Sequence, residues 1–271
     1  MKSFNAPQQS GDSKKETSYL RCDIMYNDFA EVYDRLQDAD YEQFADYYEE
    51  VFKSLGKQPK LVLDLACGTG NITIPMAKRG YDMIGLDLSC EMLNIARDKA
   101  AEEGLDILFL NQDMTEMELY GTVDAIVCAL DGINYITDPE DLKKVFRLVK
   151  NYLNPDGIMI FDINTEYKLR KVLGNNTFVY EDEDIYYVWQ NEFSEETKIC
   201  EFYLNFFCPQ PDGSYERFDE IQEERAYSAE ELTDIIKGSG LKVQGIYKPF
   251  SFSTPETTDE RIFFVISGKM C

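Results

Sequence analysis

The sequence predicts an α/β protein: a seven-stranded, mostly parallel sheet with helices on both faces and an inserted antiparallel β meander. Three observations carry this. From residue 61 to 163, short continuous apolar runs alternate with amphipathic stretches, as expected of strands buried on both faces and linked by helices. Three of the runs lead into acids, at Asp64, Asp87 and Asp113, and the first opens into a glycine-rich turn. Residues 177–227 then lose helical periodicity and fill with Tyr, Phe, Val and Ile around two turn signals.

Residues 1–17 are rich in Ser, Gln and Lys and have no apolar core, so they are no secretory signal. Residues 1–20 are expected to be a flexible leader. The first helix is expected over 38–55, where Tyr41, Phe44, Ala45, Tyr48, Val51, Phe52 and Leu55 recur at three- and four-residue steps. Gly56 and Pro59 stop it. A strand follows at 61–66, then a helix whose regular part begins near Thr73 because of Pro75. The second strand is 81–88. Ser89 caps the next helix and Gly104 ends it. Strands three and four fall at 106–110 and 123–130. Asp138 caps a helix with Pro139 at its first position, running to about 153. Asn154-Pro-Asp-Gly157 reads as a turn before strand five, 157–163. About three antiparallel strands are expected over 177–227, with turns at 194–197 and 209–213. Ser228-Ala-Glu-Glu231 is a capping box that starts the last helix, and strands at 241–247 and 261–267 complete the sheet. The expected units are therefore a leader (1–20), a core with an N-terminal helical lid (21–163), an antiparallel insert over the substrate site (164–227), and a C-terminal helix with two core strands (228–271).

Composition narrows the chemistry. The 271 residues are 44% hydrophobic and 13% aromatic, a globular profile, and no apolar run approaches the roughly 18 residues that span a bilayer. The net charge of −24 repels phosphate backbones and concentrates cations, which disfavours a nucleic-acid partner. Seven cysteines, odd in number and without a C-x-x-C pair, suit a reducing cytoplasm rather than a disulfide framework or a zinc site. Cys67 and Cys128 are expected as small buried thiols. The chain has no histidine, so Ser-His-Asp and Cys-His hydrolase chemistry is excluded, and no metal is expected.

The glycine turn carries the most specific signal. Such a turn between strand and helix lets backbone N–H groups approach a ligand. A dinucleotide fingerprint needs a third glycine, but Gly68-Thr-Gly70 is followed three residues later by Thr73. An acid inside the preceding strand, with two further strand-end acids, is a different pattern. Asp64-Leu-Ala-Cys-Gly-Thr-Gly70 resembles motif I of class I S-adenosylmethionine-dependent methyltransferases. Gly85-Leu-Asp87 resembles the next motif, and Asn111-Gln-Asp-Met114 the segment that brackets adenine. The resemblance runs from Met25 onward and is strongest to a Firmicute-type group of bacterial small-molecule methyltransferases. Tyr26-Asn-Asp-Phe-Ala-Glu-Val-Tyr-Asp34, Asp131-Gly-Ile-Asn-Tyr135, Arg225-Ala-Tyr-Ser228 and Glu260-Arg-Ile-Phe-Phe264 are its further marks. One departure is Ala66, where the family's first glycine would fall.

The resemblance implies a Rossmann-like fold, S-adenosyl-L-methionine as cofactor and S-adenosyl-L-homocysteine as product. Asp87 would accept both ribose hydroxyls, since a carboxylate offers two oxygens. Asp113 would accept from the adenine amine and the Met114 N–H would serve a ring nitrogen. Gly68 and Gly70 would lie against the amino-acid portion, and Asp64 would order the turn or reach the ammonium through water. Ala66, Leu88, Gln112 and Leu130 complete the cofactor set, with Tyr26 and Tyr33 in an N-terminal lid.

Ligands in such sheets bind beyond the strand carboxyl ends near the switch point. That puts Asp131 and Tyr135, the catalytic candidates, near the transferred methyl. Asn134 and Asp162 are substrate candidates there, and Tyr187, Trp189, Arg225 and Tyr227 are candidates to line a roof. Methyl transfer from a sulfonium is an in-line displacement in which alignment and desolvation supply most of the rate, so the missing histidine is no obstacle. No Asn-Pro-Pro-Tyr-type segment follows strand four. With the charge, that favours a small N or O acceptor over RNA or protein; a non-catalytic cofactor-binding protein fits the same motifs. A monomer and a homodimer are both compatible with the sequence.

Overall fold

Seven strands form the central sheet. In chain order these are β1 (Leu61–Leu65), β2 (Asp82–Asp87), β3 (Leu108–Asn111), β4 (Val123–Cys128), β5 (Leu153–Asn164), β10 (Leu241–Tyr247) and β11 (Arg261–Gly268); β6 to β9 belong to a second sheet. The computed structural model describes Asp34 and residues 39–182, 185–210 and 212–268. The spatial order is β10-β11-β5-β4-β1-β2-β3. β1 to β5 pair in parallel, and β11 runs antiparallel to both β5 and β10. The order reverses between β1 and β4, which makes the switch point there.

Strand alternation sends successive side chains to opposite faces, and each face has its own core. Val62, Met83, Ala125, Val127, Ile160 and Phe263 pack under α1 (Tyr41–Ser54) and α2 (Thr73–Lys78). α3 (Cys90–Glu102) lies on the same face, where Phe109 fills the space left by Gly85. Leu63, Leu65, Leu86, Ile126, Phe161 and Phe264 pack on the other face against α4 (Pro139–Tyr152) and α5 (Ala229–Gly238). α4 buries Leu142, Val145, Phe146 and Val149, one stripe of its surface, and Asp138 caps it by accepting from the Glu140 N–H at 2.8 Å. The Ser89 and Ser228 caps form as the sequence predicts, accepting from the N–H groups of Met92 and Glu231. In α1, Tyr47 joins the expected apolar set by donating its hydroxyl to the Ser251 carbonyl at 3.0 Å, while Leu55 is left exposed.

Two elements differ from the sequence reading. The segment Asn154-Pro-Asp-Gly157 lies within β5 rather than before it. Val123 pairs with Leu153 and Ala125 with Ile158, so the extra residues bulge out of an otherwise continuous strand. The insert has four strands, not three: β6 (Thr177–Asp182), β7 (Ile185–Phe193), β8 (Ile199–Pro209) and β9 (Tyr215–Arg225) form an antiparallel sheet in that order. The break between β6 and β7 falls in the acidic run Glu181-Asp-Glu-Asp184, which holds no Gly, Pro or Asn to mark it. Cys200, Phe202, Leu204, Phe206 and Cys208 of β8 alternate inward and pack with β7 and with Leu169 and Leu173 of a π-helical turn, Lys168–Leu173.

Candidate active site

A cleft of about 850 Å3 opens beyond the carboxyl ends of β1, β2 and β4. After β1 the chain adopts positive φ at Ala66 (59°), Gly68 (54°) and Gly70 (80°). A left-handed conformation costs a side-chain-bearing residue roughly 1–2 kcal/mol, so Ala66 holds strain where the family pattern has glycine. A Cβ on Gly70 would stand 3.2 Å from that of Ala96, so the turn is pressed onto α3.

Asp87, at the end of β2, ties this turn to the next loop. Its carboxylate accepts from the Gly68 N–H at 2.7 Å and from the Ser89 N–H at 2.8 Å. Burial pushes its pKa up, and those N–H groups pull it back. Each oxygen still has a lone pair to offer. Asp64 is buried and accepts from the Thr73 hydroxyl at 2.6 Å. Burial pushes its carboxyl up to about 7, and among the described residues no Lys or Arg pairs with it. Asp113 caps a 3-10 turn by accepting from the Thr115 N–H at 2.7 Å. Gln112 is fixed by accepting from the Glu118 N–H at 2.8 Å. Leu88, 71% exposed, and Met114 give this end of the cleft apolar surfaces. Burial pushes the Cys67 and Cys128 thiols up, so both are inert buried thiols as expected.

Of the expected cofactor residues, Asp64, Ala66, Gly68, Asp87, Leu88, Gln112, Asp113, Met114 and Leu130 line this cleft; Gly70 stands behind the turn. Tyr26 and Tyr33 lie outside the described residues. Tyr135 lines the cleft and donates its hydroxyl to Gln222 of β9 at 3.1 Å.

The remaining candidates do not line the cleft. Asp131 turns its carboxylate to Arg261 at 2.6 Å, which leaves it badly placed as a base. Asp162 is buried behind the loop: it accepts from the Leu130 N–H at 2.9 Å and the Asp131 N–H at 3.1 Å, and Arg261 bonds it from behind. Those contacts hold Leu130 and Asp131 at φ of 53° and 59°. Asn134 is a buried brace, donating to the carbonyls of Asn164 and Arg225 at 3.0 Å. Tyr227 is buried with its hydroxyl on the Ile136 carbonyl, and Arg225 stacks on its ring at 4.3 Å and pairs with Glu231. Tyr187 and Trp189 fall on the side of β7 that packs into the insert's own core, Tyr187 against Tyr180 and Phe206 and Trp189 against Phe178 and Phe202. The insert instead meets the cleft through Glu220, Ile221, Gln222 and Glu223 of β9. Polarity along β9 hid this, because a strand of charged residues reads as a solvated edge. Asp34, which does not line the cleft, braces the glycine turn from outside: its carboxylate accepts from the Thr69 hydroxyl at 2.5 Å and the Asn71 amide at 2.7 Å, and pairs with Lys99.

A methyltransferase-domain family model matches residues 62–157. YqeM of Bacillus subtilis (strain 168), named as a methyltransferase, is 36% identical over 89% of this chain and 96% of its own length. The chain belongs to the class I S-adenosylmethionine-dependent methyltransferases. The crystal structure of an S-adenosylmethionine-dependent methyltransferase from Clostridium acetobutylicum ATCC 824 superimposes with a TM-score of 0.82, at 38% identity over 89% of this chain and 98% of that one. The sugar N-methyltransferase KedS8 from Streptoalloteichus sp. ATCC 53650 shares the fold, with a TM-score of 0.70 at 18% identity over 98% of both chains.

The cleft of this methyltransferase suits the family's cofactor on chemical grounds. Asp64 is a buried carboxylate with no cationic partner among the described residues, and the cofactor's amino-acid end brings an ammonium. Asp87 has spare acceptor capacity for a diol, and Leu88 and Met114 offer flat apolar contact to a base. Among the described residues no group of three or more His, Cys, Asp or Glu is set to hold a metal ion, and no helix is long and apolar enough to cross a membrane.

Proposed function

We propose that this methyltransferase acts on a small-molecule acceptor at nitrogen or oxygen, bound between the cofactor cleft and β9 of the insert. One observation carries the reading: the cleft continues past Leu130 and Gly132 to a second wall formed by Tyr135 and residues 220–223, a half-open space sized for a small ligand beside the cofactor. KedS8, which shares the fold, is named for a sugar acceptor and supports the same class. In this reading residues 164–227 are the roof of the acceptor site and 21–163 with 228–271 the cofactor-binding core. The five free thiols among the described residues suit a reducing cytoplasm.

Bound in the cleft, S-adenosylmethionine supplies a sulfonium-activated methyl group, leaving as S-adenosylhomocysteine. The chain's own residues bind and orient. Asp87 takes the ribose hydroxyls, Asp113 and the Met114 N–H the adenine edge, and Asp64 the ammonium. Tyr135 and Gln222 fix the far wall, so that alignment of acceptor and methyl can supply much of the rate.

Two measurements test this. Enzyme incubated with methyl-labelled S-adenosylmethionine and a size-fractionated bacterial extract should place label in the low-mass pool; label confined to RNA or protein overturns the acceptor class. Cofactor affinity should also depend on pH through Asp64. Its pKa in the ligand-free protein is raised from 3.8 to about 7, so its ionisation costs stability as pH rises between those values. A cationic ligand offsets that cost. Affinity should therefore fall by up to about tenfold per unit as pH drops below about 7, and fall again above about 8 as the ligand's ammonium deprotonates. Calorimetry from pH 5.5 to 9 reads this, and Asp64→Asn should flatten the acid limb. An unchanged acid limb in that variant removes Asp64 from the ammonium site.

A further inference from the structure

The cleft lining has one sign of charge. Its lining residues include seven acids and no Lys or Arg. Asp64, Asp87 and Asp113 serve the cofactor end in the reading above. The other four, Asp138, Asp141, Glu220 and Glu223, line the rest of the cleft, and only the last two belong to the β9 wall assigned to the acceptor. Asp138 spends its carboxylate on the α4 cap, accepting from the Glu140 N–H at 2.8 Å. Asp141 is paired with Lys144 at 2.6 Å. Glu223 is exposed to solvent. Glu220 is half-buried, and among the described residues no Lys or Arg pairs with it. Burial pushes its carboxyl up, and Gln222 pulls it partly back. Gln222 lies two residues along β9, on the same side of the strand, and is itself held by the Tyr135 hydroxyl.

We propose that the acceptor is a primary or secondary amine delivered as its ammonium ion, and that Glu220 binds the ammonium and takes its proton. The proposal rests on the small-molecule reading and names the acceptor class within it. A cation beside a sulfonium needs compensation: two unit charges about 4 Å apart repel by about 4 kcal/mol at an effective dielectric constant near 20. A carboxylate at similar distance offsets that repulsion, whereas an anionic acceptor would meet Glu220 and Glu223 unaided by any lining cation. The step balances. Glu220 accepts the ammonium proton, and the freed nitrogen lone pair forms the new N–C bond. The C–S bond breaks with its electron pair retained on sulfur, and Glu220 returns its proton to water. A carboxyl whose pKa is raised by burial is closer to the range in which a general base works at neutral pH.

The test is binding, with no need for the natural acceptor. Protein saturated with S-adenosylhomocysteine is titrated calorimetrically with n-butylamine, butan-1-ol and butanoate at pH 7.5. The amine should bind at least about tenfold tighter than either other probe. Glu220→Gln should lose most of that preference while keeping S-adenosylhomocysteine affinity within about twofold, and Glu220→Asp should restore part of it. Equal binding of the three probes, tighter binding of butanoate, or an unchanged preference in Glu220→Gln overturns the proposal. Failure of S-adenosylhomocysteine itself to bind strikes the cofactor reading instead, so the two failures are distinguishable.

Discussion

Asp87→Ala is expected to weaken S-adenosylmethionine binding by at least about 100-fold. Two hydrogen bonds to a charged acceptor contribute about 1.5–3 kcal/mol each, and both ribose hydroxyls would lose their partner. The same change releases the N–H groups of Gly68 and Ser89, which Asp87 holds at 2.7 and 2.8 Å. Part of the loss is therefore disorder of the turn that the ligand must reorganise. Asp87→Asn keeps one acceptor oxygen and should fall between the two. Calorimetry gives the affinities, and thermal melts with and without ligand show whether the variant is folded. A folded Asp87→Ala with undiminished affinity would remove Asp87 from the site.

Arg261→Met is expected to cost about 3–5 kcal/mol of stability, because it leaves Asp162 buried and charged with no counter-ion. For a protein of this size that is a fall in Tm of roughly 6–20 °C. The geometry concentrates the effect. Arg261, on β11, bonds both Asp162 and Asp131, and Asp162 in turn holds the N–H groups of Leu130 and Asp131 at the cleft wall. Burial works against the Arg261 charge, but the two acids outweigh it and push its pKa up. Burial already pushes the Asp162 pKa up, with Arg261 pulling it back. Without the guanidinium the folded-state pKa rises further above its unfolded value. The deficit should then be smallest near pH 4 and grow as pH rises through the folded pKa. Adding Asp162→Asn to Arg261→Met should recover part of the stability. A loss that is independent of pH and not relieved by the second change would mean Arg261 acts through packing alone.

Most of the fold was legible because local and tertiary signals agree. The caps at Ser89, Asp138 and Ser228, the proline at 139 and the doubly buried runs of β1, β4 and β5 each specify one element without reference to the others. That Asp64, Asp87 and Asp113 line one cleft was legible for the same reason: Asp64 lies near the end of β1, Asp87 ends β2 and Asp113 follows β3, and a strand end in a parallel sheet is a fixed place. The wall proposed to hold the acceptor was not. Asp131 and Asn134 do follow β4, but their orientations are set by Arg261, Asp162 and Asn164, residues remote in sequence. Tyr187 and Trp189 lie on the buried side of β7, and which side is buried depends on a pairing register fixed only by the folded insert. β9 lines the cleft through Glu220, Ile221, Gln222 and Glu223, on a largely polar strand whose role is invisible until a partner wall is seen opposite it.

A crystal structure of the protein with S-adenosylhomocysteine tests the central claim most directly. The account predicts ribose hydroxyls on Asp87, the adenine against Leu88 and Met114, the ammonium toward Asp64, and the sulfur facing an open space bounded by Tyr135, Glu220 and Gln222. A ligand bound with its ribose away from Asp87, or a β9 packed directly against the sulfur with no room for an acceptor, would contradict it.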